Sequence, residues 1–261
     1  MSRGSAVLLA GVLALGGCGG RTQGPETGES SPSRVDPQDG GLVLRWRMTG
    51  GIAGLGGPGS LPEFSLYGDG RAIVKSESSA PVTAHREYQL KPGALRRLLD
   101  EARAAGLDRS RTIGSDENIA DAMTLVITMG EARTRVVQPE AQNVPAVRFW
   151  KRLDPKGWPQ GDQAAPAKEY RSTRVAALAG ESPASGGQRV SDWPVDRSLG
   201  EGERVAGGLC TVYTGEDRDT VVKHAATGDG DHRWRSGGKV YSVRLRPMLP
   251  EERTCEDVAR T

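Results

Sequence analysis

Six glycines stand among the twelve residues from Thr49 to Ser60, T-G-G-I-A-G-L-G-G-P-G-S. Within them Gly54, Gly56 and Gly59 spell G-x-G-x-x-G, the spacing whose chemistry is the cradling of a dinucleotide pyrophosphate. Such a cradle works only between a strand and a helix, where the helix N-terminus meets the phosphates. Here a strand precedes it, but the following L-P-E-F-S-L-Y-G-D-G reads as a second strand and a turn, and Pro58 and Pro62 interrupt. The spacing is therefore read as accidental, and no cofactor is expected. A second cluster, G-D-G-D-H at Gly228 to His232, brings together Asp229, Asp231 and His232. Two carboxylates and one imidazole within a turn seldom close a metal shell, so a solvated turn is expected and no metal. There is no G-x-S-x-G elbow and no H-E-x-x-H. His85, His224 and His232 serve the whole chain, and Asp100-Glu101 reads as the solvated face of a helix. Trp46, Trp150, Trp193 and Trp234 could line a sugar groove, but their spacing fits core packing better. Catalytic residues are none on this reading, and the chain is not expected to be an enzyme.

The opening M-S-R-G-S-A-V-L-L-A-G-V-L-A-L-G-G-C-G-G sets the expected address. Arg3 gives a positive start, and Ala6 to Leu15 form an apolar core of signal-peptide length, too short to span a bilayer as a helix. Leu15-Gly16-Gly17-Cys18 resembles a bacterial lipobox, so residues 1–17 read as a lipoprotein signal peptide and Cys18 as the lipidated residue. Residues 18–40 are rich in Gly, Ser, Pro and acids with few apolar side chains, which makes a flexible tether. The expected place is the outer face of the cell membrane, extracytoplasmic, held through a lipid anchor. Formal net charge is +2, and no basic run suggests nucleic acid.

With Cys18 taken by lipid, Cys210 and Cys255 remain. Outside the cell two remaining cysteines usually bond, and a zinc site would lack ligands at the right spacing. Closing the loop between them is worth about 4 kcal/mol on the chain-entropy view.

The pattern of elements predicts an α+β fold of two small domains, each an antiparallel sheet with helix cover. In the first, 41–153, Leu42, Leu44, Trp46 and Met48 alternate with polar or smaller residues as a half-buried strand does. Gly68-Asp69-Gly70 marks a hairpin between strands carrying Phe64, Leu66, Ile73 and Val74. Pro92 opens a helix whose Leu95, Leu98, Leu99 and Ala102 form one stripe and whose end is marked by Gly106. A second hairpin turns at Gly130, and Val144 to Leu153 closes the domain as a short helix with Val147 and Trp150 inward. Residues 154–167 are Pro- and Gly-rich and read as a linker. The disulfide-bonded second domain, 168–261, opens on a strand in K-E-Y-R-S-T-R-V-A-A-L. Thr214 and Asp217 have the spacing of a capping box before a helix, with Val221, Val222 and Ala225 core-facing. A hairpin turns at Gly237-Gly238, with Trp234, Tyr241, Val243 and Leu245 available to pack, and Pro247 ends its strand.

At R-M-T-G-G-I-A-G-L-G-G the chain resembles the emfourin family, small bacterial inhibitors of thermolysin-like metalloproteases. Gly50-Gly51-Ile52-Ala53-Gly54 matches the family's segment after its first strand, Leu98-Leu99 its helix, Asp121 to Val137 its later hairpin, and Pro145 to Leu153 its closing helix. The likeness covers roughly residues 42–153, and the loop departs from the family by running on through L-G-G-P-G-S. The second half is similar to an uncharacterised family of surface lipoproteins of high-GC Gram-positive bacteria, carried by G-G-L-C, R-W-R-S-G-G-K-V-Y-S-V and R-P-M-L-P-E-E-R-T-C. What the resemblance implies is a protease-inhibitor-like binding module whose candidate loop is Gly50, Gly51, Ile52, Ala53, Gly54 and Leu55. Its partner would be an extracellular or envelope protein such as a protease. The alternative is a structural or assembly lipoprotein of the envelope without inhibitory activity.

Overall fold

The computed structural model describes residues 40–51, 55–57, 59–76, 85–115, 121–183, 187–225 and 232–260. Chain order in the first half is β1 (Leu42–Thr49), β2 (Phe64–Tyr67), β3 (Arg71–Lys75), β4 (His85–Leu90), α1 (Pro92–Ala104), β5 (Arg111–Ile113), β6 (Thr124–Met129), β7 (Ala132–Val137), α2 (Pro145–Lys151) and β8 (Gln163–Glu169). The second half supplies β9 (Arg174–Glu181), β10 (Val190–Asp192), β11 (Glu203–Val205), β12 (Gly208–Thr214), α3 (Gly215–Ala225), β13 (Arg233–Ser236), β14 (Lys239–Pro247) and α4 (Cys255–Arg260). Among the described residues the strands make two sheets, ordered β5-β7-β6-β1-β2-β3-β4-β8 and β10-β13-β14-β9-β12-β11. The content is mixed α and β.

Local chemistry explains most of these elements. α1 starts at Pro92, whose missing N–H costs nothing in a first turn, and buries Leu95, Leu99 and Ala102. It stops in a left-handed cap: Gly106 at φ +75° donates to Arg103 O, and Leu107 donates to Ala102 O. That pair of bonds is a Schellman motif, and the fully buried Leu107 supplies its hydrophobic contact. The β2–β3 turn uses Gly70 at φ +84° while Asp69 Oδ1 accepts from Arg71 N–H. Gly237 and Gly238 both take positive φ, as a two-residue hairpin turn requires.

One face of the first sheet buries Leu44, Phe64, Leu66, Leu125 and Ile127 under α1 and α2. In the second sheet, Val175, Ala177, Tyr213, Trp234 and Tyr241 pack with Val221 of α3. Another small core joins Ala176, Met248 and Val258 around Cys210 and Cys255, which are bonded with Cα atoms 5.8 Å apart. α4, only six residues long, carries a reciprocal cap: Thr254 Oγ1 accepts from Asp257 N–H, and Asp257 Oδ2 accepts from Thr254 N–H. Asp257 Oδ2 also accepts from Arg253 N–H, and the backbone bonds from Arg253 and Thr254 hold the Asp257 carboxyl well below the usual carboxylate range.

Two findings differ from the reading of the sequence alone. Each sheet is antiparallel except for one short edge strand, since β5 pairs parallel with β7 and β10 parallel with β13. The expected linker also holds structure: β8 crosses from its last residues into Lys168 and Glu169 and pairs with β4. Its residues lack the alternation of a half-buried strand, and backbone bonding to an open sheet edge suffices to order them.

The second half also closes the other face of the first sheet. Tyr67 and Ile73 pack with Tyr170 and Leu249, and Tyr67 Oη donates to Glu251 at 2.8 Å while Arg45 pairs with the same carboxylate. The described residues accordingly fall in one compact unit.

Candidate functional site

β1 to β4 are joined in antiparallel order, so the end of β1, the start of β2, the end of β3 and the start of β4 lie together at one end of these strands. Two features lie at that end: the glycine loop after β1 and an aromatic pocket under α2.

The loop is closed at its base by a reciprocal pair of backbone bonds, Gly50 N to Leu55 O at 3.1 Å and Leu55 N to Gly50 O at 3.0 Å. Arg47 Nη2 donates to Gly56 O and to Ser60 Oγ, both at 2.7 Å, and ties the returning chain to β1. Glycine is required at the base by geometry. Gly50 sits at φ +88°, and a Cβ there would lie 2.5 Å from Ala122 O; at Gly51 it would lie 2.6 Å from Met123 Sδ. Leu55 is 46 % exposed, the one exposed large apolar side chain among the described residues. The loop thus has a rigid glycine base and an apolar side chain left in solvent. Ile52, Ala53 and Gly54 lie outside the described residues.

The pocket has a volume of about 660 Å³. Its floor is one cross-strand row: Trp46 faces Phe64, Phe64 faces Val74, and Val74 faces Arg86. Trp150 of α2 meets Trp46 edge to face, with ring centroids 5.7 Å apart and planes at 81°. Tyr88 and Phe64 each meet Trp158 in the same manner, at 6.0 and 6.1 Å. Edge-to-face packing satisfies the ring quadrupoles and fixes the walls. The rim carries Glu63, Lys75, Lys151, Asp154 and Lys156. Both acids are engaged by backbone, Glu63 Oε2 accepting from Met48 N–H and Asp154 Oδ1 from Lys156 N–H.

The residues singled out from sequence fall in different places. Cys18 lies outside the described residues, as do Asp229 and Asp231. His232 stacks on Trp234 at 4.4 Å, away from any cluster that could hold a metal among the described residues. Asp100 pairs with Arg103 and Glu101 with Arg152, both at the surface of α1. The element after Gly59 is strand β2, where a phosphate cradle would need a helix. Trp193 and Trp234 are buried core rings, 5.4 Å apart, as packing predicts. Trp46 and Trp150 differ: they are half-buried, pack on each other and line the pocket.

Sequence reasoning missed the pocket. Phe64, Val74, Tyr88 and Arg86 come from three strands, and only their register assembles them. No helix of the described residues is long and apolar enough to cross a membrane. No family model, curated protein or solved structure matches the chain.

Proposed function

We propose that this chain is a lipid-anchored extracytoplasmic binding module, held at the outer face of the cell membrane through Cys18. It presents the Gly50–Leu55 loop to a protein partner in the manner of a protease inhibitor, and its role is binding rather than catalysis. One observation carries the reading: Leu55 is the one exposed large apolar side chain among the described residues, on a loop whose base is bonded and glycine-packed. Recognition loops on rigid scaffolds have this construction, since a fixed base spares ordering entropy on binding. The two sheets, each with its own apolar core, act in this reading as two domains.

The test is inhibition of a thermolysin-like metalloprotease by the purified protein. Leu55→Ser should relieve inhibition and leave stability within about 0.5 kcal/mol, as exposed positions do. A parent protein that leaves the protease untouched overturns the inhibitor reading. Cys18→Ala should move the protein out of the membrane fraction, and a variant that still sediments after a salt wash overturns the anchor.

A further inference from the structure

We propose that the pocket between the first sheet and α2 is a ligand site for an elongated apolar group, aromatic or branched, that ends in a carboxylate. The site is separate from the loop and does not depend on the loop's partner.

The floor dictates the shape. Trp46, Phe64, Val74 and Arg86 are successive partners across β1, β2, β3 and β4. Adjacent strands lie about 4.8 Å apart, so the row spans about 14 Å from indole to guanidinium stem. It changes along its length from aromatic to aliphatic to cationic. A ligand laid along it meets ring edges at one end and a guanidinium at the other.

The electrostatics dictate the charged end. Arg86 is exposed, and its Nη2 gives one bond, to Ala167 O at 3.1 Å. A guanidinium has five N–H donors in a fork that fits a carboxylate, so most of Arg86 remains to be used. Lys151 also lines the pocket, in a solvent-exposed pair with Glu140 that costs little to exchange. The two rim acids each already accept a backbone N–H bond, and Arg86 and Lys151 are the cations offered to a ligand.

The apolar end has an unmet bond too. Trp46 Nε1 is buried without an acceptor, alone in this among the pocket's lining side chains. A buried donor without a partner is uncommon enough to need a cause, and a carbonyl oxygen carried upstream on a bound peptide would supply one. The volume, about 660 Å³, is that of a small-molecule site.

Two sources share this chemistry: a free aromatic acid and the C-terminal aromatic residue of a peptide. Isothermal titration of the full-length protein with 3-phenylpropionate, N-acetyl-Ala-Ala-Phe and its C-terminal amide separates them. At least one of the two acids should bind, and the amide should bind about tenfold more weakly than the acid peptide, the loss of one charge-assisted bond. Tighter binding of the peptide acid assigns the site to chain ends; equal or tighter binding of phenylpropionate assigns it to free acids. Arg86→Gln should abolish the preference for acid over amide, and Lys151→Gln, remote from the sheet's bonding, should weaken it. Trp46→Phe keeps an aromatic ring and should lower affinity for the acid peptide several-fold while leaving that for 3-phenylpropionate nearly unchanged. Binding by neither acid, equal binding of acid and amide, or an Arg86→Gln protein that keeps the preference overturns the site.

Discussion

Arg246 and Glu252 grip each other with two parallel bonds, Nη1 to Oε2 at 2.6 Å and Nη2 to Oε1 at 2.7 Å, while their side chains are only 2 % and 1 % exposed. Glu252 Oε2 also accepts from Leu249 N–H at 2.7 Å, and Arg174 Nε donates to Glu252 O. The pair therefore ties the end of β14 to the segment that seals the outer face of the first sheet. A buried pair in which one partner is removed leaves an uncompensated charge, and that loss dominates. Glu252→Gln should cost about 3–5 kcal/mol in a denaturant titration. Arg246→Met with Glu252→Leu should cost far less, because both desolvation penalties go together. A single variant as stable as the parent would show that the pair is solvated.

His85 should make the fold acid-sensitive. Its ring is buried with neither nitrogen bonded, and burial, with Lys75 and Arg246 nearby, lowers its pKa to about 4. The unfolded chain takes up the proton near pH 6.5, the folded chain only near pH 4. Folding thus favours the neutral ring: its contribution is full above pH 6.5 and is lost as pH falls from 6.5 toward 4. The loss amounts to about 3 kcal/mol at the bottom of that window. Stability measured from pH 7 to pH 4 should fall by that amount in the parent and much less in His85→Leu. Parallel curves for the two proteins would rule the ring out as the cause.

The elements legible in the sequence are those fixed by neighbours along the chain. β1 follows from alternation at Leu42 to Met48, α1 from Pro92, its leucine stripe and Gly106, and three hairpins from Gly68-Asp69-Gly70, Gly130 and Gly237-Gly238. What could not be read depends on pairing at long range. β8 forms from Pro- and Ala-rich residues because β4 offers an open edge 70 and more residues earlier in the chain. The pocket needs the register of four strands and the placement of Trp150 above them, and no local pattern encodes either. The glycine run shows the same limit. Its spacing copies a phosphate cradle, but its glycines serve close backbone approaches to Ala122, Met123 and Met48.

The Cys210–Cys255 bond spans 45 residues and joins β12 to the first turn of α4. α4 is too short to persist by its own hydrogen bonds, so it depends on this bond, the Thr254–Asp257 cap and burial of Val258. Replacing both cysteines with serine should cost about 2–4 kcal/mol. Amides of α4 should lose hydrogen-exchange protection before those of the first sheet. Thiol counting on the unfolded, unreduced chain should find neither residue free; two free thiols there would remove the premise.

Three glycine-to-alanine changes separate conformational strain from crowding around the loop. Gly59 takes φ +70°, and a Cβ there would stand 2.5 Å from Leu178 Cδ1 of β9, so the loop's far end is packed on the second sheet. Gly207 takes φ +95° with nothing within 4 Å, and Gly157 has neither a positive φ nor a near neighbour. Gly157→Ala should leave stability within about 0.5 kcal/mol of the parent. Gly207→Ala should lose about 1 kcal/mol, the cost of a left-handed backbone for a residue with a Cβ. Gly59→Ala carries the same backbone cost and must also displace Leu178, so it should lose clearly more than Gly207→Ala in the same denaturant series. Equal losses at Gly59 and Gly207 would mean that Leu178 yields freely and that the loop is not braced by the second sheet.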